Sequence, residues 1–287
     1  MVDSFRRWLT VGRHRFDLSR RTLIMGVVNI TPDSFSDGGL FFSREAALTQ
    51  ARRLIAAGAD LLDLGGESTR PFSEPLPLAE ELDRVIPVIE ALRRESDIPI
   101  SIDTYKAAVA EAALAAGADL INDISAGRFD PDLVPLAAKA GVPLVLMHMQ
   151  GTPRDMQVNP HYDDVVGEVK AFLAERRDYA LSCGVAPDRI ILDVGIGFGK
   201  NLDHNLELLR RHREFQELGC PLLLGVSRKA FIGKITNLPP QERDIASLGA
   251  IAYGALHGAD IIRTHNAALA AQVLAVLNAI RWGYPNL

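Results

Sequence analysis

One pattern repeats along the chain and limits the folds that it can adopt. A short run of apolar residues is followed by a polar loop and then by an amphipathic segment rich in Ala and Leu. The apolar runs are Leu23–Asn29, Leu61–Leu64, Ile98–Asp103, Leu120–Asp123, Leu144–His148, Ile190–Asp193, Leu222–Ser227 and Ile261–Arg263. A strand that alternates with a helix in this way predicts a parallel sheet. Eight such units predict a closed (β/α)8 TIM barrel.

The amphipathic segments between these runs predict the helices of the barrel. They are Glu45–Ala57, Ala79–Glu95, Lys106–Ala116, Pro131–Lys139, Asp163–Ser182, His204–Arg213, Ile245–His257 and Ala267–Ala279. Three of the predicted helices lead into the sequence Gly-Ala-Asp, and Gly suits a helix end because it adopts left-handed backbone angles without strain. No linker or composition shift divides the chain, so we predict a single domain over residues 1–287, with a short, solvated N-terminal hairpin that carries a basic cluster between Arg6 and Arg21.

Composition and charge exclude several classes of protein. The chain is 48% hydrophobic and 23% charged, as expected for a globular protein. Its 31 basic and 36 acidic residues give a net charge of −5, which argues against a general nucleic-acid binder. Cys183 and Cys220 are too few for a disulfide framework, and no apolar run reaches the roughly 18 residues of a membrane span. We therefore expect a cytoplasmic enzyme with neither nucleic-acid nor membrane partners.

Polar residues stand at the end of every predicted strand. In (β/α)8 barrels the chemistry lies at the C-terminal ends of the strands, where the eight ends meet at one mouth. The residues at these ends are Asn29, Gly65–Arg70, Asp103, Asn122–Asp123, His148, Asp193, Ser227–Lys229 and Arg263–His265. A single Asp after a strand is typical of a helix N-cap, but eight polar ends together indicate an active site.

Two of the predicted loops at this mouth are long. The first covers residues 30–39 and holds two Gly, one Pro and an aromatic residue, which favours a mobile lid. The second carries Thr69, Arg70 and Pro71, and an Arg in that position is a candidate clamp for an anion.

The order of motifs along the chain resembles the dihydropteroate synthases. The segments that carry the resemblance are Met25–Gly39, Asp63–Pro71, Ser101–Thr104, Ile121–Ile124, Met147–Gly151, Gly197–Lys200, Ser227–Lys229 and Arg263–His265. The resemblance implies a transferase of folate biosynthesis and a sulfonamide target. Its reaction condenses 6-hydroxymethyl-7,8-dihydropterin diphosphate with p-aminobenzoate to give 7,8-dihydropteroate and pyrophosphate, by a loose, cation-like displacement.

The resemblance, together with the chemistry of the substrates, implies a role for each candidate residue. Carboxylates and an amide suit the N–H-rich edge of a pterin ring, which assigns Asp103, Asn122 and Asp193 to it, and Lys229 is expected to donate to the ring. Arg263 and His265 are expected to hold the diphosphate with Asn29, which is also the expected ligand of a Mg²⁺ cofactor.

The resemblance places further residues around the second substrate. The expected p-aminobenzoate pocket consists of Thr69, Pro71, Phe198, Ser227 and Lys229. Arg70 is expected to act on the diphosphate and in closure of the second loop, and Phe35 and Asp37 to cover the cation-like centre from the first loop. The catalytic residues are therefore expected to be Asp37, Lys229, Arg263 and His265, in a homodimeric enzyme.

Two positions depart from the usual motifs of these synthases and leave alternatives open. Val194 stands where Pro is common, and Asn266 stands where Asp is common. One alternative is a pterin-dependent methyltransferase, which needs no diphosphate clamp. The other is a folded paralogue without synthase activity. Turnover with both substrates distinguishes these hypotheses.

Overall fold

A closed parallel barrel forms the body of the computed structural model, which describes residues 7–30 and 39–283, without the side chains of residues 39–43. An antiparallel hairpin of β1 (Trp8–Val11) and β2 (His14–Asp17) precedes it. The barrel strands are β3 (Leu23–Asn29), β4 (Leu61–Gly65), β5 (Ile100–Asp103), β6 (Leu120–Asp123), β7 (Leu144–Met147), β8 (Ile190–Asp193), β9 (Leu222–Gly225) and β10 (Ile261–Thr264). They follow one another in chain order, and β10 pairs with β3. The predicted TIM barrel and hairpin are confirmed.

Helices surround the barrel and connect its strands. They are α1 (Gly39–Ala56), α2 (Leu78–Glu95), α3 (Ala107–Ala116), α4 (Leu133–Ala140), α5 (Val165–Ser182), α6 (Leu202–Arg210), α7 (Ala230–Thr236), α8 (Asp244–Leu256) and α9 (Ala267–Trp282). Helix α7 was not predicted from the sequence, because seven residues are too few to display a helical period. No helix in the described ranges is long and apolar enough to cross a bilayer.

The hairpin closes the N-terminal end of the barrel. Leu9 and Val11 have no exposed surface, and they pack with Leu18 against the first residues of the barrel strands, including Leu23 and Ile261. The prediction of a solvated hairpin is therefore wrong for its apolar face, which covers the apolar end of the barrel interior.

The three Gly-Ala-Asp segments fix the same end of the barrel. Each Asp accepts a backbone N–H from the start of a neighbouring strand: Asp60 from Ile24, Asp119 from Ile100 and Asp260 from Leu222. Each is also paired with an arginine, and these are Arg21, Arg93 and Arg7 respectively. Arg7 and Arg21 of the N-terminal basic cluster thus form ion pairs within the fold. The candidate active site lies at the opposite end of the barrel, where the strands end.

Candidate active site

Strand register brings the predicted polar residues to one level of the barrel mouth. Asn29 on β3 is paired with Gly65 on β4, Gly65 with Asp103 on β5, and Asp103 with Asn122 on β6. Asp193 ends β8 and lies beside Met147 of β7. The predicted pterin-edge residues therefore come together at the C-terminal end of the sheet, because parallel strands in register end at the same level.

Arg263 crosses this mouth and joins two carboxylates. Its Nε donates to Oδ2 of Asp63 at 2.6 Å, and its Nη2 donates to Oδ2 of Asp103 at 2.7 Å. Nδ2 of Asn122 donates to the same Asp63 oxygen at 3.0 Å. We refer to Asp63, Asp103, Asn122 and Arg263 as the arginine cluster. It fixes the direction of every polar group in it.

Asp63 is a site residue that the sequence analysis did not identify. It is fully buried in β4, between Leu62 and Leu64. A carboxylate that is buried inside an apolar strand requires a partner, because an unpaired buried charge is strongly unfavourable. A charged residue inside an apolar run was therefore the signal that could have identified it.

Two oxygens of the arginine cluster remain without a hydrogen bond. They are Oδ1 of Asp63 and Oδ1 of Asp103, both buried. Burial raises the pKa of Asp103 to about 7, against the charge of Arg263, and the nearby Asp63 raises it further. Buried acceptors are normally satisfied, so these oxygens are suited to N–H donors of a ligand that enters the mouth.

A lysine and an aromatic ring stand on the opposite side of the mouth, next to Asp193. Burial lowers the pKa of Lys229 to about 8, although the charge of Asp193 opposes this effect. Nζ of Lys229 lies 4.0 Å from the ring centroid of Phe198. Oδ1 of Asp193 accepts from the N–H of Gly195 at 2.7 Å, and burial raises its pKa. This side of the mouth therefore offers a cation, a carboxylate and an apolar surface together.

The loop that carries Phe198 is fixed by a buried Lys200. Nζ of Lys200 lies 2.9 Å from Nδ1 of His148 and donates to the carbonyl of Phe198 at 2.9 Å. Burial and the charge of Lys200 lower the pKa of His148 to about 2, so its ring is neutral. Gly195 has φ +67°, and a Cβ there would overlap the carbonyl of His148. Val194, one of the two departures, is buried in the core.

His265 faces a different compartment from Arg263. A polar cavity of about 370 Å³ lies behind the ends of β3 and β10, and Arg263 is not part of its wall. The polar residues that line it are Asn29, Gln50, Arg53, Arg228, His265 and Asn266. The structure thus brings Asn29 and His265 together, whereas Arg263 is turned to the carboxylates.

Ser227 fixes the histidine. Its Oγ accepts the backbone N–H of His265 at 3.2 Å and lies 3.1 Å from Nδ1 of the ring. Burial lowers the pKa of His265 to about 3, with a contribution from Arg263, so the ring is neutral. A neutral imidazole has one N–H donor and one acceptor nitrogen, so Nδ1 either accepts from the Ser227 hydroxyl or donates to its oxygen. Asn266, the other departure, caps α9 by accepting from Leu269 N–H at 3.2 Å.

The second predicted loop connects β4 to α2. Arg70 and Pro71 are exposed, and Thr69 is partly buried. The N–H of Phe72 donates to the carbonyl of Pro153 at 2.9 Å, which joins this loop to the one after β7. Phe35 and Asp37 of the first loop lie outside the described residues.

Comparison with known proteins places the chain in a family. Residues 25–265 match the model of the pterin binding enzymes. The dihydropteroate synthase of Synechocystis is 48% identical over 98% of this chain and 97% of its own length, and that of Escherichia coli is 44% identical over 89% and 90%. The crystal structure of the Yersinia pestis dihydropteroate synthase in a sulfonamide drug complex has a TM-score of 0.90 and 44% identity over 96% of this chain and 99% of that one. The Xanthomonas albilineans enzyme in complex with 7,8-dihydropteroate has a TM-score of 0.86 and 43% identity over 97% and 100%. The chain therefore belongs to the pterin binding enzymes and, among them, to the dihydropteroate synthases, transferases of folate biosynthesis.

Proposed function

We propose that the polar groups at the barrel mouth condense 6-hydroxymethyl-7,8-dihydropterin diphosphate with p-aminobenzoate. The observation that carries the proposal is the arginine cluster, in which Asp63 and Asp103 each keep a buried oxygen without a partner. A pterin edge supplies N–H donors that match such oxygens. The related Xanthomonas albilineans enzyme is described in complex with 7,8-dihydropteroate, the product of this reaction.

The pterin is held from two sides in this proposal. Asp103 and Asp193 accept N–H groups of the ring edge, and Asn122 adds an amide that both donates and accepts. Lys229 donates to the ring carbonyl or to N5, which requires its protonated form. Asp63 also holds Arg263 in place through the 2.6 Å hydrogen bond.

The diphosphate occupies the side of β3 and β10. The cavity lined by Asn29, Arg228 and His265 is polar, and the N-terminus of the 16-residue helix α9 opens beside it at Asn266. Helix N-termini and N–H donors stabilise phosphate groups. Nε2 of the neutral His265 donates to a phosphate oxygen, Arg263 faces the same substrate from the mouth, and Arg70 approaches from the second loop.

A magnesium ion fits this arrangement as a companion of the diphosphate. No group of three or more His, Cys, Asp or Glu side chains in the described part of the chain could hold a metal by itself. Mg²⁺ commonly uses one or two protein oxygens together with substrate phosphates and water. The exposed amide of Asn29 at the end of β3 supplies such an oxygen. When bound, the ion would neutralise charge on the departing diphosphate.

The chemistry is a displacement at the methylene carbon of the pterin. The C–O bond to the diphosphate breaks as the nitrogen of p-aminobenzoate forms a C–N bond, and that nitrogen then loses one proton. A loose transition state carries positive charge on the pterin, so stabilisation is chiefly electrostatic. We assign Thr69, Pro71, Phe198, Ser227 and Lys229 to the p-aminobenzoate pocket. The assignment of Phe35 and Asp37 to the cation-like centre rests on the family resemblance alone.

We also propose that the enzyme is a cytoplasmic homodimer, in which the second copy contacts the surface formed by α6, α7 and α8. An apolar groove of about 490 Å³ runs between these helices and includes Phe231, Ile232 and Ile235. Ile235 is 55% exposed and Ile245 nearby in the chain is 77% exposed. Exposed apolar patches on folded chains mark interaction surfaces. Ile235→Glu should convert a dimer to a monomer in light scattering, and a monomeric wild type would reject the proposal.

Calorimetry with each substrate tests the proposed function. Pterin diphosphate should bind to the free enzyme with Mg²⁺, whereas p-aminobenzoate should bind only weakly. Pyrophosphate with Mg²⁺ should strengthen p-aminobenzoate binding, because the loops that carry Phe35, Asp37 and Arg70 complete the pocket after the anion is in place. Equal affinity for p-aminobenzoate with and without pyrophosphate would reject this order of binding.

A further inference from the structure

A single ammonium group ties both ends of the loop that connects β4 to α2. Nζ of Lys106 donates to Oε2 of Glu67 at 2.5 Å, at the start of this loop, and to the carbonyl of Leu76 at 2.6 Å, at its end. Its third hydrogen bond goes to Oε2 of Glu81 in the first turns of α2, at 2.6 Å. An ammonium has three N–H donors, so all of them are used at the base of the loop.

We refer to Lys106 with its partners Glu67, Leu76 and Glu81 as the anchor. It is connected to β5, the strand that carries the pterin-edge residue Asp103. Lys106 and Tyr105 follow Asp103, the last residue of β5, within three positions. The hydroxyl of Tyr105 donates to Oε1 of Glu67 at 2.7 Å, and its ring packs edge-on against Phe129 at 5.4 Å. Both oxygens of Glu67 are therefore held by residues that extend β5.

The anchor is shielded from solvent. The side chains of Glu81, Glu67 and Lys106 are 1%, 7% and 18% exposed. Burial opposes the charge of Lys106, but the hydrogen bonds and charges of Glu67 and Glu81 outweigh it and raise its pKa. Arg84 adds a further hydrogen bond from Nη1 to the carbonyl of Gly66 at 2.8 Å. All three donors of the Lys106 ammonium are used inside this buried group. Such a group favours one geometry, because each alternative leaves a charge unpaired.

The tip of the loop, residues 70–74, forms weaker interactions with the rest of the protein than its base, which consists of the two ends at Glu67 and Leu76. Arg70 and Phe72 are exposed, and the tip is joined to the loop after β7 by the Phe72–Pro153 hydrogen bond and by an exposed contact of 3.6 Å between Glu74 and Arg154. Exposed ion pairs contribute little, so the base determines where the tip can reach.

We propose that Lys106 is a positioning residue for p-aminobenzoate: it fixes the base of the β4–α2 loop to the end of β5, so that Thr69, Arg70 and Pro71 are delivered over the mouth. This inference rests on the proposed function, because it concerns the second substrate of that reaction. Lys106 itself touches neither substrate in this account, and its effect passes through Glu67 and Leu76.

Steady-state kinetics of Lys106→Met test the proposal. The KM for p-aminobenzoate should rise by roughly 10- to 100-fold, the size expected for the loss of a charged hydrogen bond. The KM for pterin diphosphate should rise by no more than about 3-fold, because only Arg70 of this loop acts on the diphosphate, which other residues also hold. Lys106→Arg should restore part of the loss, because it returns a cation to the two glutamates. Lys139→Met, at an exposed position on α4, is the matched control and should change neither KM.

Hydrogen exchange gives a readout that does not depend on turnover. Amides of residues 66–77 should exchange faster in Lys106→Met than in the wild type, with those of α4 unchanged. If Lys106→Met does not fold, Tyr105→Phe and Glu67→Gln take its place, with smaller increases of about 3- to 10-fold in the KM for p-aminobenzoate.

Three outcomes would overturn the inference. The first is a lower Tm with both KM values unchanged, which would make the anchor only structural. The second is an equal rise of both KM values, and the third is unchanged exchange of residues 66–77. A wild type without turnover would instead reject the proposed function, and the exchange measurement would still decide whether Lys106 anchors the loop.

Discussion

Arg263 donates from Nε to Oδ2 of Asp63 at 2.6 Å, although the two residues are 200 positions apart. Asp63 has no exposed surface, and the side chain of Arg263 is 22% exposed. The fold thus pairs a buried carboxylate of β4 with a cation of β10 across the barrel mouth. This pair sets the position of the guanidinium that faces the substrates.

Asp63→Asn should loosen Arg263 without changing the shape of the site. The carboxylate opposite the Arg263 cation becomes a neutral amide, which should reduce the free energy of unfolding by about 1–3 kcal/mol and weaken pterin diphosphate binding roughly tenfold. Calorimetry and chemical denaturation measure the two effects. Asp188→Asn, at an exposed position, is the control and should change neither. Wild-type affinity in Asp63→Asn would show that Asp63 does not position the site.

Asp103→Asn and Asp193→Asn should each weaken pterin binding by about 10- to 100-fold, because a charged acceptor is replaced by a mixed amide. The Tm should change little, since burial already disfavours both charges and raises both pKa values. Titration calorimetry and thermal unfolding separate the two effects. Lower Tm values with unchanged affinity would identify these carboxylates as structural caps instead.

The pH dependence of kcat/KM for pterin diphosphate should be bell-shaped. Asp103, with a pKa of about 7, must be ionised to accept the ring edge, so activity rises as the pH increases through 7. Lys229, with a pKa of about 8, must be protonated to donate, so activity falls above 8. The two limbs report the free enzyme.

Variants assign these limbs to residues. Asp103→Asn should remove the acidic limb at about 7, and Lys229→Arg should move the alkaline limb upward because a guanidinium stays protonated. A profile that is the same in all three proteins would mean that the limbs belong to the substrates.

The strands were predictable from sequence for a simple physical reason. Strands of a parallel barrel are covered on both faces, so they appear as continuous apolar runs, and each observed strand lies within two residues of its predicted bounds. The polar residue at the end of each strand was predictable as well, because it stands out where the continuous apolar run stops.

Contacts between distant parts of the chain were not predictable. The Lys106–Glu67 pair joins residues 39 positions apart, and no repeat or motif in the sequence links the two. The separation of Arg263 from the cavity of His265 was also missed. Residues two apart on a strand share one face, but β10 ends at Thr264 and His265 lies beyond it. The buried face of the hairpin was missed because its polar residues dominate the sequence there.

His265→Ala should lower turnover by about 10- to 1000-fold, the range for the loss of one donor that stabilises growing charge. The KM values should change less, because this donor acts chiefly as the diphosphate departs. Ser227→Ala, which removes the hydroxyl that orients the ring, should have a smaller effect of the same kind. Turnover of His265→Ala equal to that of the wild type would remove the diphosphate role from β10.

Pyrophosphate release by the wild type tests the central claim most directly. With pterin diphosphate, p-aminobenzoate and Mg²⁺ present, we expect pyrophosphate and 7,8-dihydropteroate to form in equal amounts, with no release above background when p-aminobenzoate is omitted. An enzyme that binds the pterin diphosphate but forms no dihydropteroate would contradict the account and favour a paralogue without synthase activity.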